Sequence, residues 1–134
     1  MIFTYKLYQP LNLVYEYLTD MNKMSSIHPI ISKITSINDK EYKIYETLNI
    51  AFIPFNFEYP LFIQSDEMNH SITMKCIIMK MITVQLSFNL KEEGDHTCVK
   101  ETIDINSILP IGFLMYNIFK KQHGIMFGNL NKVS

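Results

Sequence analysis

The sequence predicts an α+β fold in which a curved antiparallel sheet of about seven strands wraps around a long C-terminal helix. Two short helices are expected after the first strand. Apolar and polar residues alternate along most of the chain from residue 31 to residue 105, which is typical of strands with one buried face. The last stretch instead repeats its apolar residues at helical spacing. A sheet and a helix that each have one apolar face are expected to bury those faces against each other.

Residues 110–130 are predicted to form one long helix. Pro110 suits the first helical position, where the missing N–H has no helical partner to lose. The polar residues Gln122 and Asn129 fall in the middle of the apolar face, whereas His123 is expected to lie off that face and to be exposed. The apolar residues that define the face are Ile111, Leu114, Met115, Ile118, Phe119, Ile125, Met126 and Leu130.

Two glycines, Gly124 and Gly128, lie beside this apolar face. Glycine in a helix interior is about 1 kcal/mol less favourable than alanine, so their presence needs a reason. One explanation is the close approach of another backbone or of a ligand. The other is that the last helical turns are loose near a chain end.

The rest of the chain supplies the short helices and the strands. Pro10 is expected to begin the first short helix, a second helical segment is expected at 24–31, and Pro60 indicates a sheet edge or a bulge. Turns are predicted at 38–40, 65–69, 79–80 and 92–95. The predicted strands are 2–8, 31–37, 42–52, 55–63, 70–78, 82–90 and 97–105.

The length indicates one domain over residues 1–134, and the composition indicates a thick core or a lined cavity. Apolar residues make up 48% of the chain, which includes nine Phe, eight Tyr and nine Met. The formal net charge is −1, and all twelve basic residues are lysines. This charge gives no electrostatic case for binding nucleic acid or an anionic membrane, and arginine, which grips phosphates best, is missing.

The cysteines and the apolar runs predict a cytoplasmic protein. No apolar run approaches the roughly 18 residues of a membrane span, and no signal peptide precedes the first strand. Cys76 and Cys98 fall on opposite phases of their strands, so we expect two reduced thiols and no disulfide.

The element order and several local features resemble the START/Bet v 1-like helix-grip superfamily, also called the SRPBCC or polyketide cyclase group. The resemblance implies that a hydrophobic ligand lies between the sheet and the last helix. It also implies that a minority of members are enzymes, such as cyclases of polyketide chains. The features are Gln9, Pro10 and Leu11 after a strand, then Val14, Tyr15, Leu18, Thr19 and Asp20 on a helix, then Ile27, His28 and Pro29, and finally Pro110, Ile111 and Gly112 ahead of His123, Phe127 and Leu130.

Glu46 and Glu101 are the most informative candidate residues because both fall on the apolar phase of their strands. A carboxyl group there must be paired, hydrated or protonated, since an isolated buried charge is unfavourable. One reading is a polar anchor in an apolar cavity, or a general acid or base with a raised pKa. The other reading is a β-bulge that turns one of them to solvent.

The remaining candidate ligand contacts are polar groups and aromatic rings. The amide of Gln122 suits a ligand hydroxyl or carbonyl, or else a hydrogen bond within the protein. His28 is placed at the mouth of the groove by the resemblance, although a structural role for it stays open. The aromatic candidates are Phe55, Phe57, Tyr59 and Phe88, which could equally form an ordinary core.

Signals for a cofactor, a metal or a nucleophile are missing from the sequence. There is no Gly-rich phosphate loop, Rossmann fingerprint or nucleophile elbow, and the four histidines lack metal-site spacing. We therefore expect no cofactor and no metal. The favoured hypothesis is non-catalytic binding of a hydrophobic small molecule or lipid. The alternatives are a cyclase or dehydratase with Glu46 or Glu101 as the base, and a protein-interaction module with unknown oligomeric state.

Overall fold

One seven-stranded antiparallel sheet forms the body of the molecule, with strand order β1-β7-β6-β5-β4-β3-β2. The structure, a computed structural model, describes residues 1–50 and 52–133 and leaves out the side chain of Ile50. The strands are β1 (Ile2–Leu7), β2 (Ile31–Asn38), β3 (Glu41–Ile50), β4 (Ile53–Asp66), β5 (Ser71–Ile78), β6 (Ile82–Glu93) and β7 (His96–Ser107). The helices are α1 (Leu11–Thr19), α2 (Met21–Ile27) and α3 (Gly112–Leu130).

The predicted helix-grip architecture is confirmed. The curved sheet holds α3 on its inner face, and α1 and α2 follow the first strand. Alternation places one face of each central strand in the core, as in β5 and β6, where buried residues alternate with more exposed ones. Ala51, which falls within the predicted strand 42–52, lies outside the described residues.

The second short helix begins earlier than predicted. It covers Met21–Ile27 instead of residues 24–31, because Asp20 ends α1 and begins α2. The Asp20 carboxylate accepts hydrogen bonds from the backbone N–H groups of Asn22 and Lys23, which satisfies two of the free donors at the start of α2.

The predicted turns lie between the strands as expected, although the turn at Met79–Lys80 lacks the residues usual for its geometry. Met79 and Lys80 both have positive φ, 56° and 60°, in a tight turn closed by a hydrogen bond from Met81 N to Ile78 O of 3.2 Å. Positive φ at both central positions is the geometry of a type I′ hairpin turn, which glycine or asparagine usually occupies. Gly94 meets the same need in the β6–β7 turn, with φ 67°.

Pro60 lies in a strand that is internal in the sheet order but is locally an edge. The stretch of β4 up to Pro60 pairs with β3, and the pairing with β5 begins only at Leu61. A residue without an N–H is tolerated there because only one side of the strand needs a ladder hydrogen bond.

The C-terminal half of α3 packs more tightly than its N-terminal half. The helix begins at Gly112, two residues after the predicted start at Pro110, and packs on β1, β7 and α2. Two residues of the predicted apolar face, Leu114 and Ile125, are exposed. The buried residues of α3 are Gln122, His123, Met126, Phe127 and Leu130.

Asn129 joins α3 to the second short helix. Its side-chain Nδ2 donates a 2.9 Å hydrogen bond to the backbone oxygen of Ile27 at the end of α2. The amide that interrupts the predicted apolar face is thus satisfied within the protein. None of the helices in the described part of the chain is long and apolar enough to cross a membrane.

The two helix glycines are not explained by a close approach. A Cβ atom built on Gly124 or Gly128 would have no heavy atom within 4 Å apart from the neighbouring residues and backbone of its own helix. Replacement of Gly124 by Ala should therefore raise the free energy of unfolding by roughly 0.5–1 kcal/mol, because alanine restricts the unfolded chain and favours the helix. Urea denaturation measures the change.

Gly94→Ala is the matched control for this prediction. It also has free space around the added Cβ, but its φ of 67° is unfavourable for alanine. The Gly94 variant should be less stable than the wild type. A Gly124 variant that is also destabilised would contradict the packing described for α3.

Candidate functional site

A cavity of about 390 Å³ lies between α3 and the inner face of the sheet. The short helix α2 closes one side of it, through Met24, and the β5–β6 turn contributes Met79. Its size falls within the range of small-molecule sites. The apolar lining includes Ile30, Ile31, Leu48, Phe55, Phe57, Leu61, Met74, Ile78, Ile82, Leu86, Phe88, Leu114, Met115, Ile118, Phe119 and Met126.

Seven of the eight candidate residues from the sequence lie around this cavity. Glu101 is the eighth, and it lies behind the lining residue His123 rather than at the surface of the cavity. The seven that line the cavity are His28, Glu46, Phe55, Phe57, Tyr59, Phe88 and Gln122. The structure thus brings residues from three strands, from α3 and from the position directly after α2 into one site.

Glu46 faces the cavity from β3 and is buried. Its Oε1 accepts a hydrogen bond from the hydroxyl of Tyr59, which lies on the neighbouring strand β4. Burial raises the pKa of the Glu46 carboxyl, and the Tyr59 hydrogen bond and the nearby His123 only partly oppose that rise. Burial also raises the pKa of Tyr59 well above its ordinary value, so Tyr59 remains a donor.

Glu101 is fully buried, with 0% of its surface exposed, and it reaches His123 across the interface between β7 and α3. One carboxylate oxygen, Oε2, forms a hydrogen bond with Nδ1 of His123. A buried carboxylate is tolerated only with such a partner, because water no longer solvates it. The bond also fixes the orientation of the imidazole ring, which lines the cavity.

Tyr5 of β1 lies near Glu101. Its hydroxyl and the second carboxylate oxygen of Glu101, Oε1, are both buried, and neither completes a hydrogen bond among the described residues. Burial raises the pKa of Tyr5, and the charge of Glu101 raises it further. Tyr5 also stacks against Phe127 of α3, with ring centroids 4.4 Å apart.

The imidazole of His28 is neutral and presents a donor. Its Nδ1 accepts a 3.3 Å hydrogen bond from the backbone N–H of Ile30, so the ring proton is on Nε2. Burial, helped by the nearby His123, lowers the pKa of His28 to about 3. The rings of His28 and His123 lie edge to face, with centroids 6.1 Å apart.

Gln122 contributes an amide to the same region from α3. It is buried and lines the cavity, and its Oε1 has no hydrogen-bond partner among the described residues. An unsatisfied buried oxygen is uncommon and is most often found where a ligand or water completes the site. The polar side chains that line the cavity therefore include Gln122, His28, His123, Glu46, Tyr59 and Asn56.

His123 is the functional candidate that the sequence analysis placed wrongly. It was predicted to be exposed, yet it is buried because its ring packs against Phe119 and Phe88 and bonds to Glu101. A helical stripe at 119, 123, 126 and 130 would have found it, since these positions repeat every three or four residues. Other lining residues missed were Met24, Leu86, Cys76 and Met126.

The site can hold an apolar molecule whose polar group reaches one region of the wall. The described residues contain no cluster of three His, Cys, Asp or Glu side chains that could hold a metal ion. Cys76 lines the cavity as a free thiol whose pKa burial raises, which disfavours the reactive thiolate.

His28 and Glu46 should make opposite contributions to the pH dependence of stability. The pKa of His28 is about 3 in the folded protein, against an ordinary value of 6.5. The stability that neutral His28 contributes to the folded state is therefore complete above pH 6.5 and is lost as the pH falls towards 3. The pKa of Glu46 in the folded protein is raised above its ordinary value of 4.5. The stability that protonated Glu46 contributes is therefore complete below pH 4.5 and is lost as the pH rises through the pKa of the folded protein.

Urea denaturation at pH 7 and pH 4 tests this assignment. His28→Gln should lose less stability than the wild type between pH 7 and pH 4. Glu46→Gln should lose more, because it lacks the carboxyl that favours the folded state at low pH. Identical pH profiles for both variants and the wild type would contradict the burial described for these two groups.

Comparisons with solved structures agree with this architecture. A START superfamily protein from Mycobacterium smegmatis superimposes with a TM-score of 0.72 at 13% identity, over 98% of this chain and 93% of that one. Ara h 8.0201, a Bet v 1 homologue, gives 0.75 at 11% identity, over 98% and 96%. The Zhui aromatase/cyclase from Streptomyces gives 0.67 at 9% identity, over 98% and 90%.

Sequence comparison gives no corresponding match: no family model and no curated protein matches the chain significantly. These structural neighbours are a START protein, a Bet v 1 homologue and an aromatase/cyclase, and each of them superimposes on 98% of this chain. At these identities the likeness concerns the fold. The chain therefore has the helix-grip fold, which it shares with these solved structures.

Proposed function

We propose that the protein binds a hydrophobic small molecule or lipid in the cavity between the sheet and α3, without chemical change. The observation that carries the proposal is the predominantly apolar lining of a cavity of about 390 Å³. A water-filled apolar void of this size is unfavourable, whereas an apolar ligand would remove that surface from water.

The polar groups of the cavity support a ligand with an apolar body and one polar end. His28 presents an Nε2–H donor from the end of α2, and Gln122 presents an amide from α3. Glu46 and His123 lie close enough for His123 to affect the pKa of Glu46. A few fixed polar groups in an apolar wall orient a ligand and select among related molecules.

A cavity-filling substitution tests the proposal. Ile118→Trp places a larger side chain at a position of α3 that lines the cavity, so the affinity for a fluorescent fatty acid or an aromatic dye should fall at least about 10-fold. Fluorescence titration measures the affinity. Ile125→Trp is the matched control, because Ile125 lies on the same helix, is exposed and does not line the cavity.

The control variant should bind the probes as the wild type does. Equal binding by the Ile118 and Ile125 variants would place the probe outside the cavity. A wild type that binds none of these probes would count against the proposal itself.

One observation favours a second candidate, a cyclase or dehydratase acting on a polyketide-like or aromatic substrate. Two acid–base groups, Glu46 and His123, face the same cavity from β3 and α3. The raised pKa of Glu46 favours its protonated form, and the Glu101 bond orients the ring of His123. An aromatase/cyclase is also among the proteins of the same fold.

This candidate predicts a specific reaction. In an intramolecular aldol closure, His123 would accept a proton from a carbon beside one carbonyl. The resulting carbon nucleophile would attack a second carbonyl, whose oxygen would take the proton of Glu46. Transfer of the proton from the imidazolium of His123 to the Glu46 carboxylate would then restore both groups.

Incubation with a synthetic poly-β-ketone chain separates the two candidates. An enzyme would release a cyclised product, detected by chromatography, and a subsequent loss of water would be seen by mass spectrometry. Glu46→Gln and His123→Asn would then slow the reaction roughly 100-fold or more while the substrate still binds. If the protein only binds its ligand, the poly-β-ketone chain should cyclise no faster in its presence than in buffer alone.

A further inference from the structure

The mouth of the cavity is formed by apolar side chains that are exposed to solvent. Phe55, Met79 and Leu114 line the cavity and are also 48%, 65% and 55% exposed. They come from three separate parts of the chain: the start of β4, the β5–β6 turn and the first turn of α3. Residues that both line a cavity and contact solvent mark its opening.

More exposed apolar side chains lie on the same three segments. Phe52, Ile108 and Phe113 are 80% to 102% exposed, although each belongs to a residue type that is usually buried. We call the whole set the apolar rim. It consists of Phe52, Ile53, Phe55, Met79, Met81, Ile108, Leu109, Phe113 and Leu114.

The sheet topology explains why these residues share one end of the molecule. In an antiparallel sheet with consecutive neighbours, the β3–β4, β5–β6 and β7–α3 connections all leave from the same end. The β2–β3, β4–β5 and β6–β7 connections leave from the other end. That far end carries acidic residues in or directly before all three of its turns: Asp39, Asp66, Glu67, Glu92, Glu93 and Asp95.

The rim segments carry almost no charge. Residues 50–57, 79–81 and 108–119 contain a single charged residue, Lys80, and no acidic residue. Apolar patches of this kind on a soluble domain mark contact with another protein or with a membrane. The contrast with the acidic far end gives the molecule one end suited to an apolar medium and one suited to water.

Phe52 shows that the exposure of the rim is built into the backbone. Its φ is 68°, in the left-handed region that bulky side chains rarely adopt. Such a conformation persists where the surrounding structure enforces it, commonly at functional positions. Here it holds a phenyl ring in solvent at the tip of the β3–β4 hairpin.

We propose that the apolar rim docks on the surface of an electrically neutral lipid bilayer, with the mouth of the cavity facing the hydrocarbon. The rim surrounds the opening of an apolar cavity, so a hydrophobic molecule could pass between bilayer and cavity without crossing water. The near absence of charge on the rim fits insertion among neutral lipids, and the acidic far end remains in water.

Flotation with vesicles of pure phosphatidylcholine tests the proposal. The wild type should float with the vesicles, and high salt should not release it, because apolar burial rather than charge drives the contact. The double variant Phe52→Asp, Phe113→Asp should bind at least about 10-fold more weakly, since two phenyl rings no longer leave water. Met68→Asp is the matched control, because Met68 is 89% exposed in the β4–β5 turn at the far end.

Each outcome of this experiment decides the proposal. Loss of flotation in the double variant alone supports it, with far-UV circular dichroism confirming that the variant is folded. A wild type that stays in the soluble fraction, or a double variant that floats equally well, overturns it. Rim-dependent dimerisation in sedimentation without flotation would assign the rim to a second copy of the chain. Dye binding in vesicle-free solution, measured in parallel, reports separately on the cavity.

Discussion

The buried contact between Glu101 and His123 is the constraint on which the arrangement of α3 depends. A carboxylate with no exposed surface must have a partner, and that partner is available at only one rotation of the helix. The bond therefore fixes both the depth and the rotation of α3 over β7. Phe127 then packs between Tyr5 and Phe88, which completes the core at the C-terminal end of the helix.

The cavity follows from this asymmetric attachment. The C-terminal half of α3 is buried against β1, β7 and α2, whereas its first turns lie away from the inner face of the central strands. The space between them is lined by strand residues that would otherwise meet the helix, and it opens where Leu114 is exposed. The same contact that stabilises one end of the helix thus leaves room for a ligand at the other.

The alternation of apolar and polar residues along β3 made the inward orientation of Glu46 predictable. The apolar residues at helical spacing, interrupted by the amides of Gln122 and Asn129, indicated the last helix. His123 was misplaced because its position falls off the predicted apolar face of the helix, although its partner Glu101 was already assigned to the apolar phase of β7. The Met79–Lys80 turn lacked the usual glycine or asparagine, so its geometry could not be read from residue type. The exposed apolar rim depends on which loops share one end of the sheet, and that emerges only from the topology.

Native mass spectrometry of the freshly purified protein, followed by solvent extraction, tests the central claim most directly. We expect an added mass that survives gentle ionisation, and an apolar compound with one polar end in the extract. Loss of that mass in the Gln122→Ala variant would connect the compound to the polar groups of the cavity. A protein of bare polypeptide mass that also takes up no hydrophobic probe would contradict a ligand-binding role for the cavity.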